Sequence, residues 1–256
     1  MTTVGQIAWV LDAFAPAQLK LDFDNVGLLV GRKDAPVTRV LTALDITPEV
    51  IDEAKALGAE LIVSHHPVFF NIKKITDETE NGDRVLRLIE SDIAAICMHT
   101  NMDAAQGGVN DALLRKLGCE NGVALNETDF IGRIGTLAHA KALPEFLAEI
   151  RSKLHTRGLR YYDAGRPVKK IACCGGAGGG ELELAARAGC DTYVTADIKY
   201  DRFLTAEYLG INLIDADHFF TENAVVPVFK KIIEDAFPEL SVAISQKHTC
   251  KIQFFE

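Results

Sequence analysis

The sequence has no CxxC pair, no run of lysine and arginine, and only one tryptophan and three methionines among 256 residues. Its six cysteines, at 97, 119, 173, 174, 190 and 250, are scattered. That excludes a zinc ribbon and the disulfide framework of a small secreted domain, and leaves buried thiols in a reducing cytosol. With 27 basic against 36 acidic residues the net charge is −9. Such a balance disfavours nucleic acid as a partner and favours metal cations over anionic polymers. The longest stretch free of Asp, Glu, Lys and Arg is 61–72, too short to span a bilayer and interrupted by two histidines and a proline. No basic segment precedes the first apolar residues, so a signal peptide is not expected. The expectation is a cytoplasmic protein without membrane attachment.

What is present is ordinary for a globular chain: 48% hydrophobic and 25% charged residues. Surface scaling gives about 11,000 Å² folded against about 40,000 Å² unfolded, enough burial for one large domain or two small ones. Helical spacing of Ile7, Val10, Leu11 and Phe14 predicts a helix over 1–14. Further helices are expected at 48–57, 83–90, 109–117, 143–155, 182–188, 203–208 and 224–236. Apolar runs predict strands at 39–44, 61–64, 93–98, 130–139, 168–174, 192–196 and 213–215, with two closing strands within 241–255. The alternation argues for an α/β fold of mostly parallel βαβ units. Boundaries near residues 127 and 210 predict a first lobe of 1–127 plus 211–256, carrying the metal ligands, and a second of 128–210.

Ligands of parallel α/β sheets gather at the carboxyl ends of strands. Three expected strands end in metal-ligand residue types: SHHP (64–67), HTNMD (99–103) and DADHFFTE (215–222), and four of the seven histidines fall in these strings. Adjacent residues on a strand point to opposite faces, so His65 and His66 suit two different ions of a close pair. Pro67 keeps His66 extended. Asp103 adds a carboxylate, and His218 and Glu222 at i, i+4 share one helix face. Five ligands exceed the needs of one catalytic ion with an open position and suit two ions about 3.5–4 Å apart, with Glu222 as the bridge. His99 is the weakest of the set, better placed behind the ligands than among them. Each string alone has a plainer reading as loop histidines, a turn cap or a surface ion pair. Their conjunction carries the expectation.

The glycine string CCGGAGGGE (173–181) follows a strand and opens a helix. It matches neither GxGxxG nor a P-loop, and reads as an anion cradle or a tight turn. ADIKYD (196–201) follows another strand and offers Asp197, Lys199, Tyr200 and Asp201 to the same cleft, or to solvent.

Together the segments DFDNVGLLVG (22–31), LDIT (44–47), LIVSHHPVFF (61–70), HTNMDAAQGGVND (99–111), GGAGGG (175–180), TADIKYD (195–201) and LIDADHFFTEN (213–223) resemble the Nif-three-like dinuclear metal centre family, whose members are often labelled GTP cyclohydrolase I type 2 homologues. The resemblance runs across nearly the whole chain. It implies two α/β lobes with a dinuclear site in the cleft between them, metal ligands at His65, His66, Asp103, His218 and Glu222, and a homohexameric, toroidal ring. It departs from the family at Phe23, Asp201 and Asp217, where tryptophan, histidine and glycine are frequent.

Two functions follow as expectations. One is a hydrolase with two divalent cations (Zn, Mn, Fe, Co or Ni) acting on a nucleotide, as the family label suggests, or on a phosphoester. His99, Tyr200 and Asp201 are its candidates for proton transfer or contact with a small-molecule substrate. The alternative is a non-enzymatic metal-binding ring: scaffold, metal handler or regulatory partner.

Overall fold

The computed structural model describes residues 1–255. Its strands are β1 (Gly27–Val30), β2 (Arg39–Ala43), β3 (Leu61–Ser64), β4 (Ala94–Cys97), β5 (Val123–Ala124), β6 (Arg133–Lys141), β7 (Arg160–Tyr162), β8 (Val168–Cys173), β9 (Thr192–Thr195), β10 (Asn212–Asp215) and β11 (Ser241–Ile244). The α-helices are α1 (Val4–Phe14), α2 (Pro48–Leu57), α3 (Glu80–Glu90), α4 (Thr100–Ala104), α5 (Val109–Lys116), α6 (Leu143–Leu154), α7 (Leu182–Arg187), α8 (Tyr200–Leu209), α9 (His218–Glu222) and α10 (Val226–Ala236). Local chemistry explains several ends. Thr3 and Gln6 form a capping box at α1. Thr47 caps α2, Pro48 opens it, and Gly58 stops it in the left-handed conformation.

The contacts divide the chain into two compact units. The first comprises Met1–Ala105 and Val225–Thr249. Its sheet has the order β1-β4-β3-β2-β11, with β4, β3, β2 and β11 mutually parallel and β1 antiparallel at one edge. β3 and β4 are buried along their whole length, as strands covered on both faces must be. One core packs Leu41, Ile62, Val50, Ile51, Leu88 and Ala95. The α1 helix buries Val4, Ile7 and Leu11, and α10, which packs against it, buries Phe229 and Ile233.

The second unit comprises Gln106–Ala224 and the chain from Cys250. Its sheet has the order β5-β6-β8-β9-β10-β7. Only β8, β9 and β10 run parallel, and β5, β6 and β7 pair antiparallel around them. The α/β class holds for both units, but this sheet is mixed. Phe146, Ile150, Leu113, Val168 and Ile171 fill one core, and Tyr193, Leu182, Ala185 and Leu213 another.

The division differs from the boundaries expected near 127 and 210. β10 pairs with β9 and β7, so His218 and Glu222 follow the second sheet. The α5 helix packs on β6 and β8, which draws residues 106–127 into the same unit. Only one of the two expected closing strands forms among the described residues. After Ser245 donates its N–H to Thr42 O, the N–H groups of Gln246 and Lys247 turn to the Glu53 carboxylate and leave the ladder. No helix among the described residues is long and apolar enough to cross a membrane. Five cysteines are buried and Cys250 is partly so. Burial pushes the Cys97 and Cys190 thiols up to about 11 and raises Cys173 further.

Candidate metal centre

In the first unit, His65 and His66 stand where β3 ends. Instead of continuing extended, which would send the two rings to opposite faces, the backbone bends at once. His66 N–H bonds to Leu44 O at 3.0 Å, and Ser64 Oγ donates to His66 O at 2.8 Å. Both rings therefore enter one cluster with His99, which follows β4. Ring centroids are 5.1 Å apart for His65–His66 and for His65–His99, and 5.7 Å for His66–His99. One ligating atom from each of the three lies within 4.8 Å of the others.

Each imidazole is held by its Nδ1. His65 Nδ1 meets Met98 O at 2.8 Å, His66 Nδ1 meets Asp45 Oδ1 at 2.7 Å, and His99 Nδ1 meets Asp24 Oδ1 at 2.9 Å. An acceptor on Nδ1 fixes the Nδ1–H tautomer and leaves the Nε2 lone pair for a cation, the arrangement in which metal-bound histidines are found. The anchors are themselves anchored. Asp24 also accepts from the Thr100 N–H at 2.9 Å and from its hydroxyl. Burial alone would raise the Asp24 carboxyl, but the hydrogen bonds from His99 and Thr100 outweigh it and hold it well below the usual carboxylate range. Asn101 Nδ2 ties α4 to Ala15 O at 2.6 Å. The same helix carries Asp103, nearly buried at 8% exposure, whose Oδ1 is 3.7 Å from Nε2 of the wholly buried His65.

In the second unit, β10 leads through Asp217 to α9. Asp217 has φ +70°, a backbone conformation that glycine adopts freely and other residues rarely. Its carboxylate caps α9 by accepting from Phe219 N–H at 3.1 Å. The carboxylate that orients His218 is Asp197, whose Oδ2 is 2.7 Å from Nδ1. His218 Nε2 is 3.0 Å from Glu222 Oε2, and Glu222 is 4% exposed.

The glycine string serves this pair. A Cβ on Gly176 would collide with the Glu222 carboxylate and approach His218 Cε1 to 3.2 Å, and Gly176 has φ +64°. The N–H groups of Gly175, Gly176 and Gly178 donate to Asn110 Oδ1 (2.8 Å), Thr221 Oγ1 (3.1 Å) and Thr195 Oγ1 (3.0 Å). With their donors taken up in this way, they form a tight turn that lets Glu222 approach the backbone, and the anion cradle is not their role.

The donor set fits a divalent cation. With metal–ligand bonds of about 2.1 Å, two neighbouring ligands on one ion stand about 3.0–3.4 Å apart. The His218–Glu222 pair at 3.0 Å has that spacing and the His65–Asp103 pair at 3.7 Å is close to it. Tyr200 and Asp201 lie on the exposed first turn of α8, Tyr200 at 77% exposure. Neither forms a hydrogen bond or ion pair with His218 or Glu222. Asp24 and Asp45 are the site residues that sequence reasoning did not single out, though both lie in the motifs, whereas Asp197 is one of the expected cleft residues and takes the part of orienting His218.

The chain is similar to known proteins over nearly its whole length. A family model described as Duf34/NIF3 (NGG1p interacting factor 3) matches residues 2–251. A GTP cyclohydrolase 1 type 2 homolog of Clostridium perfringens is 35% identical over 253 residues, covering 96% of this chain and 97% of that protein. One from Clostridium acetobutylicum is 35% identical over 242 residues, covering 91% and 90%. Among solved structures, a Bacillus cereus protein related to NIF3 has a TM-score of 0.93 over 100% of this chain and 99% of its own, and at 24% identity it speaks for the fold alone. A Staphylococcus aureus hypothetical protein has a TM-score of 0.91 at 29% identity over 99% of both chains.

Proposed function

Because the chain belongs to the Duf34/NIF3 family, we propose that it is a divalent-metal hydrolase in which His65, His66, Asp103, His218 and Glu222 hold two cations per chain. The observation that carries this reading is the shared anchoring of the imidazoles. His65, His66, His99 and His218 are each fixed through Nδ1 to a carbonyl or carboxylate. Histidines on a solvated surface have no reason to share that orientation. The cation pair supplies Lewis acidity and lowers the pKa of a water to near neutrality.

The protein's own part is preparatory. Asp45 and Asp197 hold the tautomers of His66 and His218. Asp24 does the same for His99, placing it to carry a proton beside the ligands. Glu222, sunk against Gly176, would be the carboxylate offered to both cations. Tyr200 and Asp201, open to solvent, contact substrate. The relatives' name, GTP cyclohydrolase 1 type 2 homolog, supports a nucleotide substrate, with a phosphoester as the other candidate. A hexameric ring in the cytoplasm belongs to the same proposal, its subunit number to be measured by light scattering.

The test is metal content and turnover on the same samples of wild type, His66→Ala and Glu222→Ala. Two ions per chain, lost in both variants together with hydrolysis of a nucleotide or phosphoester, support the hydrolase. Two ions without turnover support a scaffold or metal handler. Less than one ion after reconstitution overturns the site.

A further inference from the structure

Two phenylalanines beside the first-unit histidines are left open to solvent. Phe69 packs against the core, but Phe70, the next residue, is 50% exposed, and Phe23 is 65% exposed. The two rings are not strays of separate loops. Their centroids are 6.1 Å apart with planes tilted by 50°. The loops that carry them are tied together, with Asn25 Nδ2 donating to Phe69 O at 3.0 Å. The Phe23 loop is also fastened to α4, since Leu21 N–H donates to Thr100 Oγ1 at 2.9 Å.

The ring contacts then run inward. Phe70 meets His99 at 5.6 Å and 63°, and His99 meets His65 and His66 at 5.1 and 5.7 Å. An unbroken file of rings leads from solvent to the metal-facing imidazoles, with its outer members held in place and their faces uncovered.

We propose that Phe23 and Phe70 form a stacking platform for the planar heteroaromatic ring of the substrate, so that the substrate class is a nucleotide and not a simple phosphoester. This inference rests on the hydrolase reading above and sharpens it. An aromatic face binds any planar base through stacking and dispersion, at a strength of about 5- to 150-fold in affinity per stacked base. The rigid ties at Asn25 and Leu21 lower the ordering cost of the bound state. A ring seated on Phe70 stands one ring contact from His99 and two from His65 and His66.

The experiment compares guanosine 5′-monophosphate with ribose 5-phosphate, which keeps the sugar and phosphate and lacks the ring. Binding is measured by calorimetry on the metal-loaded full chain of wild type, Phe23→Ala, Phe70→Ala and Phe70→Leu, with metal content and light-scattering mass on every sample. The expected result is at least fivefold tighter binding of the nucleotide in wild type. That margin shrinks in both alanine variants and in Phe70→Leu, while ribose 5-phosphate affinity and metal content stay constant. Equal affinity for the two ligands, no binding of either, or a margin untouched by the substitutions overturns the platform. A change of oligomer mass with unchanged nucleotide affinity also overturns it, and assigns the two rings to a contact between chains. Loss of metal from wild type is a separate result, which sinks the metal reading and leaves the ring comparison to be read on its own.

Discussion

The carboxylate of Glu222 lies against the α-carbon of Gly176, in the space a β-carbon would fill. A loop residue thus determines whether a helix residue can point at His218. Gly176→Ala must displace the Glu222 side chain and strain a backbone at φ +64°. It is expected to lower stability by about 1–2 kcal/mol and to deplete bound metal as far as Glu222→Ala does. Denaturant titration and elemental analysis check both. Retention of full metal content in Gly176→Ala would show that Glu222 has room to move.

Asp24 connects the site to acid stability. Its folded carboxyl titrates below the value of about 3.9 for an unfolded aspartate. Its contribution to stability is therefore complete above that unfolded value and is lost as pH falls through the folded one. Asp24→Asn removes charged hydrogen bonds to His99 and Thr100, at a cost of about 1.5–3 kcal/mol at pH 7. The gap between wild type and variant is expected to close as pH drops below about 4. Urea titrations across pH in the presence of a chelator read it directly, and a gap that widens in acid contradicts the assignment.

Asp45→Asn and Asp197→Asn leave every proposed ligand in place and remove the charge behind His66 and His218. Metal affinity is expected to fall about 10- to 100-fold in each, measured by competition with a chromophoric chelator. Asp217→Asn is the contrast. Its partner is the Phe219 N–H at the start of α9, and asparagine caps helices as well as aspartate, so affinity should stay within about twofold.

Tyr200→Phe and Asp201→Asn are expected to leave metal content unchanged, because both side chains are exposed on α8 and neither is bonded to His218. If they contact substrate, KM rises several-fold and kcat changes little. Steady-state kinetics separates that outcome from a lost metal, which would abolish kcat.

The sequence exposes the groups that belong to the site by chemical type and hides those that belong to it by geometry. His65, His66, His99, Asp103, His218 and Glu222 stand out because they follow apolar runs, and the structure places the first four after β3 and β4 of the first unit and the last two after β10 of the second. Asp45 and Asp197 each lie 21 residues from the imidazole they orient, and Asp24 lies 75 from His99. No local pattern links residues so far apart. Asp217, adjacent to His218, is the obvious candidate to orient it, and the positive φ of its own backbone turns it to the helix cap instead. The partition of the chain is hidden for a related reason. β10 is an ordinary apolar run, and only its pairing with β9 and with the three-residue β7 assigns the helix after it to the second sheet.

The thiols described with the fold have a consequence for handling. Cys97 lies beside Ser64, one residue before His65, and Cys174 adjoins the Gly176 turn. At neutral pH the Cys97 and Cys190 thiols stay protonated, since burial sets them near 11. Burial together with the raised pKa slows attack by an alkylating reagent or peroxide at Cys97 and Cys190. Only Cys250 is partly open. Among the six sulfhydryls, Cys250 is therefore the one expected to react first with an alkylating reagent.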